Sequence, residues 1–213
     1  MTGHRSRPLA VSTYASRPCA PGAAVALFVF FIGFAIFLLS VVLFLQGEWH
    51  YSAVRAGLAI APGPATSAVF AINAGRIRAR FGRVRPALAG TLFMVLAAGY
   101  WMLFTGPRPD YAAAFLPGLI AGGISAGLTQ APLFAAAGTL PPNRATTGSA
   151  VLTMARQVGS AIGVAVVVVI LGTAAVHTVG AFHHVWLAEA IAGLAACLAV
   201  VVTAGRAAPR APR

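Results

Sequence analysis

The sequence predicts an all-α membrane protein, a bundle of six transmembrane helices. Three observations carry this. Of 213 residues, 59% are hydrophobic and only 8% are charged, with a mean hydropathy of +0.86, whereas a soluble domain carries about 25% charged residues. The apolar residues fall into six runs, each close to the roughly 20 residues a helix needs to cross the hydrocarbon core. The arginines gather in alternate gaps between those runs.

Taken in order, residues 1–21 are polar and proline-bearing and read as a cytoplasmic tail or linker remnant. The six-span bundle occupies 22–204. Its first run, Gly22 to Gln46, is dense in Phe, Leu and Val; at about 25 residues it is too long for a signal-peptide core and reads as a span that stays. The second, Ala53 to Ala74, contains Pro62-Gly63-Pro64, which should break the helical ladder, either as a hinge or as a packing kink. The third runs from Pro86 to Thr105. The fourth, Tyr111 to Gly138, carries Gly118-x3-Gly122 and Gly123-x3-Gly127, spacings that let helix backbones approach closely. The fifth runs from Gly148 to Val176 and the sixth from Val185 to Ala204. Residues 205–213 read as a C-terminal cytoplasmic tail.

The connections are short: an arginine-rich loop over Arg76 to Arg85, Gly106 to Asp110, Leu140 to Arg144, and a loop bearing His177, His183 and His184. The pair His183-His184 lacks a third metal ligand and reads as exposed. Trp49, His50 and Tyr51 at one end of the first run, and Trp186 near the start of the sixth, read as anchors at the membrane–water interface.

All fifteen basic residues are arginine. With the N-terminus inside, twelve fall on the cytoplasmic side: Arg5, Arg7, Arg17, Arg76, Arg78, Arg80, Arg83, Arg85, Arg144, Arg206, Arg210 and Arg213. Arg55 and Arg108 fall outside and Arg156 within a span. This asymmetry predicts a cell-membrane protein with both termini cytoplasmic and an even number of spans. It also accounts for the net charge of +12 without a nucleic-acid partner; the arginine loop has anionic headgroups of the lipid bilayer within reach. Two cysteines, Cys19 and Cys197, lie in distant segments and imply no disulfide framework. The sequence holds no metal-ligand spacing, no phosphate-binding glycine loop with lysine and no paired catalytic groups, so neither a metal, a cofactor nor an enzyme activity is expected.

Few polar residues are candidates for a site. Arg156, followed by Gln157, is either a cation lining a cavity or an arginine whose head snorkels to the headgroups. Gln130 and Asn73 either line a cavity or bond between helices. Glu189 is the one carboxylate within a run; it is either a proton carrier or an interfacial residue close to His183 and His184.

Gly75-Arg76-Ile77-Arg78-Ala79-Arg80-Phe81-Gly82-Arg83 resembles the loop motif of the major facilitator superfamily, roughly G-x-L-A-D-R-x-G-R, which lies between the second and third helices of each half. Gly75, Arg80, Gly82 and Arg83 match; Ala79 replaces the aspartate, and with it the charge relay that residue would make. Three further stretches resemble the second half of the fourteen-span drug:proton antiporters of that superfamily: Leu43 to Gln46 followed by Tyr51 to Leu58 and Ala61 to Pro64; Leu140 to Ala145 leading to Ala150; and Met154 to Ala165. Together they run from about residue 22 to 172. The resemblance implies one six-helix half, built of two inverted three-helix repeats, and proton-coupled efflux of a small hydrophobic or drug-like substrate by alternating access. It also implies a missing N-terminal half as partner, supplied separately or by a second copy. A truncated, non-transporting fragment or subunit is the other reading.

Overall fold

The computed structural model describes residues 19–82, 84–134, 142–173 and 179–207. They form eight α-helices: α1 (Cys19–Gly47), α2 (Ala53–Ile60), α3 (Pro62–Ile72), α4 (Ala74–Phe81), α5 (Val84–Phe104), α6 (Leu116–Phe134), α7 (Pro142–Thr173) and α8 (Val179–Ala207). A single π-helical turn, Tyr111–Phe115, leads into α6. Five helical segments are long and apolar enough to cross a membrane, and six when the bent stretch α2–α4 counts as one span. The six runs read from the sequence therefore correspond to six helical units. Of the tails expected over 1–21 and 205–213, residues 1–18 and 208–213 lie outside the described residues; the bundle takes up Cys19 at one end and Ala207 at the other.

Neighbouring helices pack in the order α7, α1, α8, α5, α6, α3. Exchanging the first three spans (α1, α3, α5) for the last three (α6, α7, α8) turns this order into its own reverse. α1 and α6 run in opposite directions, because an odd number of crossings separates them. The packing is thus that of two inverted three-helix repeats, with α3 and α7 at the two ends of the row.

Small residues set the spacing. On α6, a Cβ at Gly118 would meet the Trp101 indole and one at Gly122 the Phe37 ring, so this face lies on α5 and α1. The opposing face lies on α3: a Cβ at Gly123 would stand 2.5 Å from the Gly63 carbonyl oxygen, and one at Gly127 would stand 2.8 Å from that of Ser67. The two glycine pairs thus serve two different partners. At the other end of the row, Gly159 and Gly163 of α7 press on the carbonyls of Phe28 and Ile32 of α1, so backbone meets backbone there as well.

Pro62 opens α3, where its missing N–H is no loss. The ladder is interrupted just before it, at Ala61, which keeps a right-handed helical conformation. The sharp turn lies elsewhere: Ala53–Ile72 meets α4 at 55°, at Asn73. The expected arginine loop is this short helix α4 over most of its length. Its alanines and arginines are good helix formers, Arg78 and Arg80 in the last turn complement the helix dipole, and Gly82 ends it at φ 77°, a conformation that suits glycine.

The π-helical turn is held by α5. Asp110 accepts a hydrogen bond from the Ala113 N–H at 3.0 Å. Three α5-side donors then take three successive carbonyls: the Tyr100 hydroxyl on Ala113, the Thr105 hydroxyl on Ala114 at 3.2 Å and the Trp101 indole on Phe115 at 3.0 Å. Backbone groups freed at membrane depth need such partners, because lipid supplies none.

Around these bonds sits an aromatic cluster of Phe44, Trp49, Trp101, Phe115, Phe182 and Trp186, with ring centroids 5.0 to 6.1 Å apart between touching pairs. Trp49 is 6% exposed and Trp186 is fully buried. These two tryptophans therefore belong to the core, not to an interfacial belt. The Trp49 indole donates to the Gly106 carbonyl at 3.1 Å, a partner a belt position would not provide.

Candidate functional site

The structure distributes the candidate residues among three places. Arg156 and Gln157 are exposed on α7, the least enclosed of the long spans. α7 begins at Pro142, six residues earlier than the hydropathy run, because Thr146, Thr147 and Ser149 continue the helix without being apolar. Arg156 therefore stands about 21 Å along the helix from its first residue. Its guanidinium lies over the Phe31 ring of α1, 5.3 Å from the centroid, a cation–π contact across the α1–α7 seam.

Asn73 is bonded within its own stretch of chain. Its side-chain amide donates to the Val69 carbonyl at 2.8 Å, and its oxygen accepts from Arg76 at 3.3 Å. Both bonds serve the 55° bend and the start of α4. Gln130 is half-buried on α6, beyond Gly127 in the direction of the arginine-bearing end. Of the family motif, Gly75 and Arg80 lie on α4 and Gly82 ends it; Arg83 lies outside the described residues, as does His177.

Glu189 is the third place. α8 begins at Val179, six residues before the expected start at Val185. Val179 to Phe182 are apolar or small, and Phe182 packs into the aromatic cluster, so the helix extends through the two histidines. His183 and His184 are accordingly helical rather than in a loop: His183 is half-buried with its ring 5.7 Å from that of Trp186, and His184 is exposed. Glu189 thus lies about 15 Å along the helix from its start. It is completely buried, and neither carboxyl oxygen has a hydrogen-bond partner among the described residues. Its backbone carbonyl passes near Gly33 of α1, beside Met94 of α5.

Sequence reasoning missed two polar groups. Ser125 and Thr129 of α6 are buried, and their hydroxyls have no hydrogen-bond partner among the described residues; Thr129 sits where a Cβ on Gly90 of α5 would stand. Their i, i+4 spacing, continuing the Gly118–Gly122 face, was the available signal.

Chemically, the arrangement offers a cation and an amide on an open face, and a carboxyl sealed in the core on the far side of α1. Among the described residues no group of three or more His, Cys, Asp or Glu is placed to hold a metal ion. A sequence model described as Major Facilitator Superfamily matches residues 3–164. Over 129 residues the chain is 29% identical to a Mycobacterium tuberculosis (strain ATCC 25618 / H37Rv) protein named Multidrug resistance protein B homolog. That stretch covers 60% of this chain and 24% of the relative, so the chain matches about a quarter of that protein's length.

Proposed function

Because the chain belongs to the Major Facilitator Superfamily, a family of membrane transporters, we propose that it forms the C-terminal half of a proton-coupled exporter of small hydrophobic or drug-like compounds. In this reading it is a multi-pass protein of the cell membrane with both termini cytoplasmic. An N-terminal half completes the translocation path. The observation that carries the reading is the open face of α7. A mid-span arginine followed by a glutamine is costly to leave toward lipid, and an aqueous path between two halves is the setting that accommodates both. The name of the mycobacterial relative supports drugs as the substrate class, and Glu189 supplies a carboxyl for proton coupling.

The test is efflux of a fluorescent lipophilic cation from cells expressing the chain, alone and with a candidate N-terminal half, with and without a proton uncoupler. The expected result is uncoupler-sensitive efflux that falls about tenfold or more in Arg156→Ala, as for loss of a group that contacts the transported species. Efflux unchanged in that variant removes Arg156 from the path. Absence of efflux from a correctly inserted chain in both settings favours the second reading, a subunit that does not itself transport.

A further inference from the structure

The orphaned polar atoms of the aromatic end lie along one helix. His183 Nε2, Trp186 Nε1 and both oxygens of Glu189 are buried without hydrogen-bond partners among the described residues, and these residues follow one another at i, i+3 and i+6 on α8. Buried polar groups without partners are few in native proteins and call for a physical reason. Here they form a file. It begins at His183, half-buried near the first turn of α8, passes the fully buried indole of Trp186, and ends at the fully buried carboxyl of Glu189. The rise from His183 to Glu189 is about 9 Å, the length of roughly three hydrogen bonds in series.

We propose that this file is a proton-loading lane, separate from the open α7 face, with Glu189 as the group that holds the proton and His183 as its acceptor at the bundle end. The two ends of the lane both exchange protons, whereas the indole N–H only donates; Trp186 therefore positions one of the bridging waters rather than carrying the proton itself. In the transfer, the His183 imidazolium gives the proton on Nε2 to the first of two waters in series, that water passes one of its own to the second, and the second gives one to a carboxylate oxygen of Glu189. Neutral imidazole and a carboxylic acid result, and no other reactant is needed.

The surroundings isolate the lane. α1 brings no titratable side chain against it between Gly22 and Gly47. α5 brings only Arg85, at the opposite end, and Tyr100, whose hydroxyl is engaged by Ala113. α7 brings Arg144 in its first turn and Arg156, set against Phe31. Near the mouth of the lane stand His184 on the same helix and Glu48 just after α1. The lane opens at the end opposite the arginine helix α4, which is the outer side if both termini are cytoplasmic. It deepens the transport reading by assigning the coupling ion its route.

The chain has only three acidic side chains, Glu48, Asp110 and Glu189, so infrared spectroscopy of the full chain in lipid nanodiscs can resolve them. The expected result is a protonated-carboxyl C=O band that disappears in Glu189→Gln. Transfer into D2O should shift this band, about a hundredfold more slowly in His183→Gln, the loss typical of removing a proton-transferring side chain, and more slowly also in Trp186→Phe. A band absent from the wild type across the physiological pH range, or one exchanging equally fast in all three proteins, overturns the lane. If Glu189→Gln does not insert, the exchange rates of the other two variants decide alone. An overturned lane leaves the transport reading standing, because efflux is read separately, while uncoupler-insensitive efflux with Glu189 exchanging as expected overturns only the coupling.

Discussion

Trp101 does two jobs with one side chain. Its ring stacks on Phe37 and Phe115, with centroids 5.3 and 5.0 Å away, and its N–H takes the Phe115 carbonyl of the π-helical turn. Trp101→Phe keeps most of the stacking and removes the bond, leaving a buried carbonyl short of a donor. A loss of about 1–3 kcal/mol follows, read as a lower midpoint of thermal unfolding in detergent. At this scale the sequence was legible for chemistry and poorly legible for place. Glu189 stood out as the carboxylate of a span, yet hydropathy put it near an edge, because the two histidines before it score as polar. The burial of Glu189 comes from packing against other helices, which no local window contains. The same holds for Trp49 and Trp186: an aromatic residue near the end of an apolar run looks alike whether it faces headgroups or a neighbouring helix. For Asn73 the sequence left lining and interhelical bonding both open, and its partners Val69 and Arg76 become evident only once the chain bends there.

At the level of the element, the existence of the helices was written in the length of the apolar runs, and their ends were not. α7 and α8 each start six residues early, since a helix continues through serine, threonine or histidine as long as its backbone bonds are made. The glycine spacings on α6 did announce close packing. The pair Gly159 and Gly163 on α7 has the same spacing and the same consequence, its Cβ positions falling on carbonyls of α1. Gly159→Leu therefore forces α7 away from α1 against a backbone that cannot rotate aside. A destabilisation of about 1–3 kcal/mol is expected, and in addition the Arg156–Phe31 contact is pulled apart. Cysteine crosslinking between engineered positions at Phe28 and Ala155, efficient in the parent and depleted in the variant, checks the displacement.

Across the whole molecule, the reversed packing order of the two three-helix sets was open to inference only through family resemblance. The sequence does not repeat: Pro62-Gly63-Pro64 has no counterpart in α7, although α3 and α7 hold equivalent ends of the row. What recurs is geometry, a glycine-bearing contact between backbones at each end, and different residues achieve it. The same molecule-wide view gives the buried aromatic end a use as an optical instrument. All three tryptophans of the chain, Trp49, Trp101 and Trp186, lie in that one cluster at 6% exposure or less. Emission excited at the indole band should be blue-shifted and resist quenching by aqueous iodide in the assembled bundle. It should redden and become quenchable when this end parts, as in an outward-facing state, and remain silent to motion around α4. The protein thus carries a native one-ended gauge, and any conformational cycle it undergoes can be followed at that end without attaching a dye.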